Sequence, residues 1–506
     1  MCGIWCVFRS TLTSGDSKSQ WHRGPDAMAR KKLGPCTMEF CRLSINDMTG
    51  SGMQPFKTKK SMLMCNGEIY NHKDFAIPDL SSESDCEVLL PLIESKGIFR
   101  TSMLIRGVFA MVYTDGKKLL ASRDPLGVRP LFYCKLNDDG GIAFGSEMKS
   151  LLQFGKKVEI FPPGHVYDST TESFSCYYPC YWDARTLPPL RSMRDVLCES
   201  VRIRVKNTDR PIAFLLSGGL DSSLIASIAS KIVGPIKTFC IGSNDSTDAK
   251  AADRVARHIG SDHTRVDFDL DCGIDALSDV IKSLESYDTT TIRASVPMWL
   301  LCRHISHNTP YKVILSGEGS DELLGGYMYF HMAPGDDEFM GETIRRLKLL
   351  HQFDVLRADR CSSGHGLELR VPFLDKEVVE VGMEFPVHKK RTKMEKAVLR
   401  SAFEGYLPDD ILWRRKEAFS DAVGYSWVDH IKAHADHTIS DDQFTDICSK
   451  CKHNVPQTKE EALYRRLYWD QFGESNDHLI SEIWRPKWTD ETDPSARKLD
   501  LKFYDV

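Results

Sequence analysis

Residues 212–223 read Ile212-Ala213-Phe214-Leu215-Leu216-Ser217-Gly218-Gly219-Leu220-Asp221-Ser222-Ser223. An apolar run of strand length ends in a Gly-Gly turn, and a helical pattern follows over residues 222–233. The glycines let the backbone turn tightly and bring N–H groups close to a ligand. Hydroxyls of Ser217, Ser222 and Ser223 add donors, and the starting helix aims its positive end at the same place. The expectation is an anion cradle at the carboxyl end of a strand. The G-x-x-x-x-G-K-S/T signature occurs nowhere in the chain, which excludes that NTPase class. An Asp among serines suits pyrophosphate with Mg²⁺, because this ion takes carboxylate, phosphate oxygen and water. The bland alternative is a tight turn capped by serine.

Outward from this loop, strands alternate with helices. Ile236–Ile241 reads as a second strand and Lys312–Leu315 as a further one; Ala249, Ala252, Val255, Ala256 and Ile259 mark one face of a helix between them. Such alternation predicts a doubly wound parallel sheet with helices on both faces. A second loop of glycines, serines and acids, Ser316-Gly317-Glu318-Gly319-Ser320-Asp321-Glu322, follows the later strand. Taken alone it reads as a capped helix start. Two such loops at strand ends of one sheet face each other across a ligand. Beyond about residue 340 the chain reads mostly helical, most clearly over Lys459–Phe472.

The first 180 residues have another texture. Short strand-like runs occur at Ile4–Phe8, Thr37–Ile45, Ser61–Cys65, Val108–Thr114, Lys118–Ser122, Leu131–Lys135 and Ile142–Gly145. A helix interrupts them around Asp85–Lys96, and Asn137–Gly141 reads as a hairpin connection. Pro179, Pro188 and Pro189 place a linker over Tyr177–Pro189, and a helical pattern starts at Met193. Cys2 follows Met1, and Gly3 behind it allows Met removal. A thiol and an α-amine then share one residue, and the amine can serve as the base. By itself Cys2 reads equally as a small buried hydrophobe. Asn66-Gly67-Glu68 offers a side-chain amide and a backbone N–H, the donors an oxyanion hole needs. Arg42 can grip a carboxylate bidentately, and Glu68 and Asp85 can receive an ammonium.

A chain of 506 residues holds two or three domains. Its charge balance, 66 − 71 = −5, gives no global attraction to nucleic acid or an anionic membrane. There is no apolar run of about 18 residues and no secretory lead, so the 16 cysteines read as reduced thiols of a cytoplasmic protein. Cys448-x-x-Cys451 lacks a second ligand pair at short spacing and reads as two surface thiols.

The assembled motifs carry a resemblance. Cys2-Gly3-Ile4-Trp5, His22-Arg23-Gly24-Pro25-Asp26, Arg42-Leu43-Ser44-Ile45, Asn66-Gly67-Glu68-Ile69-Tyr70-Asn71 and Arg123–Leu131 resemble class II glutamine amidotransferases. The Ser217–Ser223 loop resembles that of N-type ATP pyrophosphatases. The two in this order look like glutamine-hydrolysing asparagine synthetases, as do Thr290–Ser295, Leu367–Asp375, Lys416–Asp421 and Asp493–Arg497. The resemblance implies a four-layer αββα, Ntn-hydrolase-type domain over residues 2–183. It implies a parallel-sheet ATP pyrophosphatase domain with a helical C-terminal part over 190–506. Cys2 would attack the glutamine amide, with Asn66 and Gly67 holding the oxyanion. Arg42, Leu43, Ser44, Ile45, Asn46, Asn66, Gly67, Glu68 and Asp85 would bind glutamine. ATP and pyrophosphate would meet Leu216, Ser217, Gly218, Gly219, Asp221, Ser222, Ser223, Ile241, Ser316, Gly317 and Lys416. Asp221 and Asp321 would hold Mg²⁺, Glu318 would support formation and capture of a β-aspartyl-AMP intermediate, and Thr290 and Arg293 would line an aspartate pocket. Glutamine, aspartate and ATP are the implied small-molecule partners, with no nucleic acid or membrane; a homodimer is left open. Stretches Phe8–His22 and Lys73–Asp85 and the region around Arg185–Pro189 are short for the family. A ring-closing adenylating relative would be expected to lack the nucleophilic Cys and the glutamine-site residues. A binding protein on this fold would have lost Cys2, Asp221 or Glu318. A tRNA-modifying or GMP-forming pyrophosphatase would lack the aspartate-pocket segments.

Overall fold

Apolar side chains along residues 3–8 alternate between two cores: Ile4, Cys6 and Phe8 enter one, while Trp5 and Val7 enter another. Only a strand buried on both faces does this. The computed structural model describes residues 1–10, 17–136, 140–179, 191–243, 246–414, 416 and 426–489. In its first part the strands are β1 (Gly3–Phe8), β2 (Ala27–Leu33), β3 (Cys36–Arg42), β4 (Phe56–Lys57), β5 (Met62–Ile69) and β6 (Gly107–Thr114). They continue as β7 (Leu119–Arg123), β8 (Phe132–Lys135), β9 (Ile142–Gly145), β10 (Glu159–Ile160), β11 (His165–Asp168) and β12 (Ser173–Cys176). They form two six-stranded sheets, β10-β8-β9-β1-β3-β2 and β12-β11-β7-β6-β5-β4.

The sheets stack face to face. Ile4, Met38 and Phe40 of one meet Met62, Met64, Ala110 and Val112 of the other in a shared core. Helices Leu89–Lys96 and Ile98–Leu104 cover the second sheet, where Leu89, Leu92 and Ile93 pack with Leu63, Cys65, Phe109 and Met111. The outer face of the first sheet meets short 3-10 turns at 17–23, 148–150 and 152–154 and merges with the core of the second domain. Much of the fourth layer is thus supplied by the neighbouring domain, across an interface that combines buried apolar side chains with buried ion pairs.

The second domain holds one five-stranded sheet of β13 (Ile212–Leu215), β14 (Lys237–Ile241), β15 (Asp262–Val266), β16 (Val313–Leu315) and β17 (Glu368–Arg370). All neighbours run parallel, in the order β15-β14-β13-β16-β17. The chain leaves β13 in both directions across the sheet, so the switch point lies between β13 and β16. Ligands of open parallel sheets bind outside the carboxyl ends of strands at such a point. Helices Leu220–Val233 and Thr247–Ile259 pack together, and Thr289–Asn308 lies against β14.

The strand expectations place the elements, with shifted ends. The run expected from Thr37 to Ile45 pairs only to Arg42, and the helix expected from Asp85 begins at Leu89 after a turn. Among the strands not read from the sequence, β2, β15, β17 and the two of the β11–β12 hairpin carried too little apolar pattern. The β8–β9 hairpin forms as expected. Its tip, the linker over 180–190, the stretch after Lys416 and the tail motif lie outside the described residues. Among the described residues no helix is long and apolar enough to cross a membrane, and no group of three or more His, Cys, Asp or Glu is arranged to hold a metal.

Candidate active site

The Ser217 and Ser316 loops follow β13 and β16, which are hydrogen-bonded neighbours, and so meet at the switch point. A Cβ on Gly317 would stand 2.7 Å from Asp221 Cβ and from the Ser222 amide nitrogen; only glycine lets the loops come this close. Gly218 has φ +81°, and a Cβ there would stand 2.5 Å from the Ala252 nitrogen. Ser217 Oγ and Ser222 Oγ bond each other at 3.0 Å, and the Gly219 amide donates to Ser217 Oγ at 3.3 Å.

A cavity of about 270 Å³ opens here. It is lined by Leu216, Ser217, Gly219, Asp221, Ser222, Ile241, Ser316, Gly317, Glu318, Asp321, Lys416 and Thr290. Three expected residues stand off it. Gly218 shapes the turn, Ser223 is fully buried in the helix, and the Arg293 guanidinium forms a buried ion pair with Glu460 at 2.6–2.8 Å. The Leu216 amide donates to the Phe239 carbonyl, so a ligand would meet Leu216 through other atoms. Thr290 Oγ1 is sealed from solvent and makes no hydrogen bond, so its residue lines the cavity with an unsatisfied polar atom.

Charge in the cavity is organised as interleaved acids and bases. Lys396 Nζ stands 2.6 Å from both Asp221 and Asp321, and Lys416 Nζ stands 2.7 Å from Asp321. Burial would lower the Lys416 ammonium and raise the Asp321 carboxyl, but the facing opposite charges outweigh it; Lys416 is held well above, and Asp321 well below, its ordinary range. Arg357 bonds Glu318 at 2.6 Å and Asp354 at 2.8 Å. Burial still pushes the Glu318 carboxyl up against the pull of Arg357. Asp221 Oδ1 is buried and accepts no hydrogen bond, leaving an acceptor for a cation. Two carboxylates cannot cage Mg²⁺ alone, but they fit an ion whose other positions come from phosphate and water.

In the first domain Cys2 sits where β1 begins. Its amide donates to Asn66 Oδ1 at 3.0 Å, and the Leu43 amide stands 3.4 Å from Cys2 Sγ. Asn66 Nδ2 is buried and has no hydrogen-bond partner. Burial pushes the Cys2 thiol up to about 11. Met1 is buried against the second domain, and its amine donates to the Leu367 carbonyl at 3.2 Å. The terminal nitrogens of Arg42 bond the carbonyls of Asn46, Asp47 and Thr49, so Arg42 shapes the loop 46–49. The Ser44 amide donates to Asp26, and Ile45 is buried. Glu68 Oε2 accepts from Asn46, Asn207 and Arg370, all at 2.9 Å, and Asp85 accepts from the Ile69 amide at 2.6 Å. Burial, reinforced by Asp85 and Glu368, raises the Glu68 carboxyl well above its usual range.

Comparison with known proteins supplies the frame for this pairing of sites. Residues 1–176 match the glutamine amidotransferase domain family, and residues 192–336 and 331–492 match asparagine synthase. Glutamine-hydrolysing asparagine synthetases from Asparagus officinalis and Homo sapiens are each 40% identical to the chain. The alignments span 549 and 557 residues and cover 98% and 99% of this chain and 92% and 98% of those proteins. The chain belongs to the asparagine synthase family. The Sandersonia aurantiaca relative is 41% identical over 527 residues, covering 96% of this chain and 98% of that one.

Within this family frame, sequence reasoning missed Lys396, Arg357, Tyr327 and Arg414, all of which line the cavity. None lies in a Gly-Ser loop. Lys396 reaches the site from 175 residues beyond Asp221, at φ +55°, and needs Gly326, where a Cβ would stand 2.1 Å from Lys396 Cε. Its one available sign was Gly326 itself, just after the acidic loop. Cys448 Sγ donates to the Pro456 carbonyl at 3.5 Å, and Cys451 Sγ accepts from Arg465 at 3.3 Å.

Proposed function

We propose that the chain makes L-asparagine from L-aspartate, spending ATP and taking ammonia from L-glutamine. The observation that carries the reading is the meeting of the Asp221 and Glu318 loops at the switch point of a parallel sheet, in one molecule with the Cys2–Asn66 pair.

At the first site the proposed nucleophile is Cys2, with Met1 removed. The free α-amine takes the thiol proton as sulfur adds to the side-chain amide carbon of glutamine. The oxyanion is received by Asn66 Nδ2 and the Gly67 N–H. The amine returns the proton to the departing ammonia, and water hydrolyses the thioester to glutamate. Arg42 and residues 43–46 shape the loop around the substrate, and Glu68 and Asp85 would accept hydrogen bonds from its ammonium, whose charge would draw their burial-raised carboxyls back toward ionisation.

At the second site aspartate lies near Thr290, and its carboxylate attacks the α-phosphorus of ATP. Pyrophosphate leaves, and β-aspartyl-AMP forms. Mg²⁺, when bound with ATP, would neutralise the departing pyrophosphate. Asp221 and Asp321 would hold it. Lys416 and Lys396 face the same phosphates, and Glu318, steadied by Arg357, takes the proton when ammonia attacks the acyl carbon. A carboxylate resists amination because oxide is a poor leaving group; adenylation replaces oxide with AMP. Arg293 supports the pocket from behind through Glu460. A cytoplasmic location accords with this chemistry.

The test is product analysis after incubation with ATP, Mg²⁺, aspartate and glutamine. Asparagine, glutamate, AMP and pyrophosphate in equal amounts are expected; ADP and orthophosphate would overturn the adenylation step.

A further inference from the structure

The nucleophile of one domain is anchored by an acid of the other. Arg23, which has no solvent exposure, donates from Nε to the Cys2 carbonyl at 3.0 Å. Its other nitrogens face Asp359 of the second domain at 2.8 and 3.1 Å, Ser363 of the same helix at 3.0 Å, and Glu147 at 2.9 Å. Asp359 and Ser363 belong to helix Asp354–Ser363, which also bears Arg357, the partner of Glu318. Facing charges, Arg23 foremost and then Arg360 and Arg129, outweigh burial and hold the Asp359 carboxyl below its usual range.

Cys2 needs such an anchor. Once Met1 is gone it is a chain terminus, with only downstream contacts to fix its backbone. The amide of residue 2 becomes the amine that works as base, so its bond to Asn66 cannot serve only to hold the residue still. The carbonyl is the remaining main-chain handle, and Arg23 holds it. A guanidinium keeps its plane and direction only where its other nitrogens are gripped, and the two-point grip of Asp359 does this.

We propose that Asp359 is a positioning residue for glutamine hydrolysis, acting across the domain interface by orienting Arg23 on the Cys2 carbonyl. This rests on the reading of Cys2 as the nucleophile. Asp359 touches neither substrate, so its loss acts on the chemical step and leaves glutamine binding alone. Misplacement of a reacting group by about 1 Å costs about a hundredfold.

The test compares Asp359→Asn with the unmodified protein in two assays, glutamate release from glutamine and asparagine formation from ammonium salt. Expected are a fall in glutaminase kcat of at least about tenfold with KM for glutamine unchanged, full ammonia-driven synthesis, and partial recovery in Asp359→Glu. Arg23→Lys keeps the charge facing Asp359 and Glu147 but loses the Nε donor; it should show the same kcat loss, with no further loss when combined with Asp359→Asn. Unchanged glutaminase kcat in Asp359→Asn, a rise in KM alone, or an equal fall of both activities would overturn the proposal. If the unmodified protein releases no glutamate from glutamine, the function reading fails and not this inference.

Discussion

At the scale of single residues the synthetase site is a balance of four charges. Asp221 and Asp321 face Lys396 and Lys416, so that two acids and two bases neutralise one another within 2.6–2.7 Å. Asp221→Asn removes one proposed ligand of Mg²⁺ and also leaves Lys396 with a single partner. Asparagine formation should fall by at least about a hundredfold, the scale of losing one electrostatic group. Glutaminase activity should stay within about twofold, since no Asp221 contact reaches the first domain. Unchanged synthesis at limiting Mg²⁺ would remove Asp221 from the role. The part of this site that was legible in the sequence is the part carried by loops. Gly218, Gly219, Gly317 and the acids beside them are written contiguously because a strand end needs them there. Lys396 and Arg357 were not legible, since a lone Lys or Arg in a helical region gives no sign of the cleft it will reach. Arg293 shows the converse: it lies in a motif segment, yet its charge meets Glu460.

At the scale of elements, two strand-end loops must approach to backbone contact. Gly317→Ala would push a methyl into Asp221 and the Ser222 amide. The adenylating activity should drop at least about tenfold while the fold and glutamine hydrolysis persist; wild-type synthesis in this variant would mean that the two loops do not close on one ligand. A second element-level contact tests stability. Lys390 ends the short helix Val387–Lys390, is 1% exposed, and donates to the Leu323 carbonyl at 3.3 Å, the end of the helix that bears Asp321. Burial lowers its pKa to about 7. An unfolded lysine titrates near 10.4. Below pH 7 both states are protonated and the folded one bears the full penalty; between about 7 and 10 only the unfolded state is protonated, and the penalty fades. Lys390→Met should therefore raise the thermal midpoint by about 2 °C or more below pH 7, with the gain shrinking toward pH 10. A gain that grows with pH would contradict this. Element boundaries were legible where apolar periodicity was strong, as in β1, β6, β9 and Lys459–Phe472. They were not where tertiary partners replaced it. β17 carries Glu368 and Arg370 fully buried in mutual ion pairing, and β2 is an edge strand whose Arg30, Lys31 and Lys32 look like surface.

At the scale of the molecule, the two domains share one continuous apolar core, joined by buried ion pairs such as Arg370–Glu68 at 2.9 Å and Arg23–Asp359 at 2.8 Å. On the proposed reading, ammonia passing between the sites would be sheltered by this burial, which matters because ammonia in bulk water near neutral pH is mostly protonated and inert as a nucleophile. The sequence changes texture near residue 180, and the two antiparallel sheets lie before that point and the parallel sheet after it. The depth of the interface was not legible, because its apolar faces, Trp5 and Val7 among them, read locally as ordinary strand residues.

The most direct test of the account, that Cys2 releases ammonia which is used without entering solvent, is a pH comparison of Cys2→Ala with the unmodified protein. The variant should lose glutamine-dependent synthesis and still use ammonium salt. At fixed subsaturating ammonium its rate should climb about tenfold per pH unit below the pKa of the amine, following the neutral fraction. The unmodified protein fed glutamine in the same buffers should show a flatter profile. Parallel profiles would contradict sheltered delivery, and a variant still active with glutamine would contradict the assignment of Cys2.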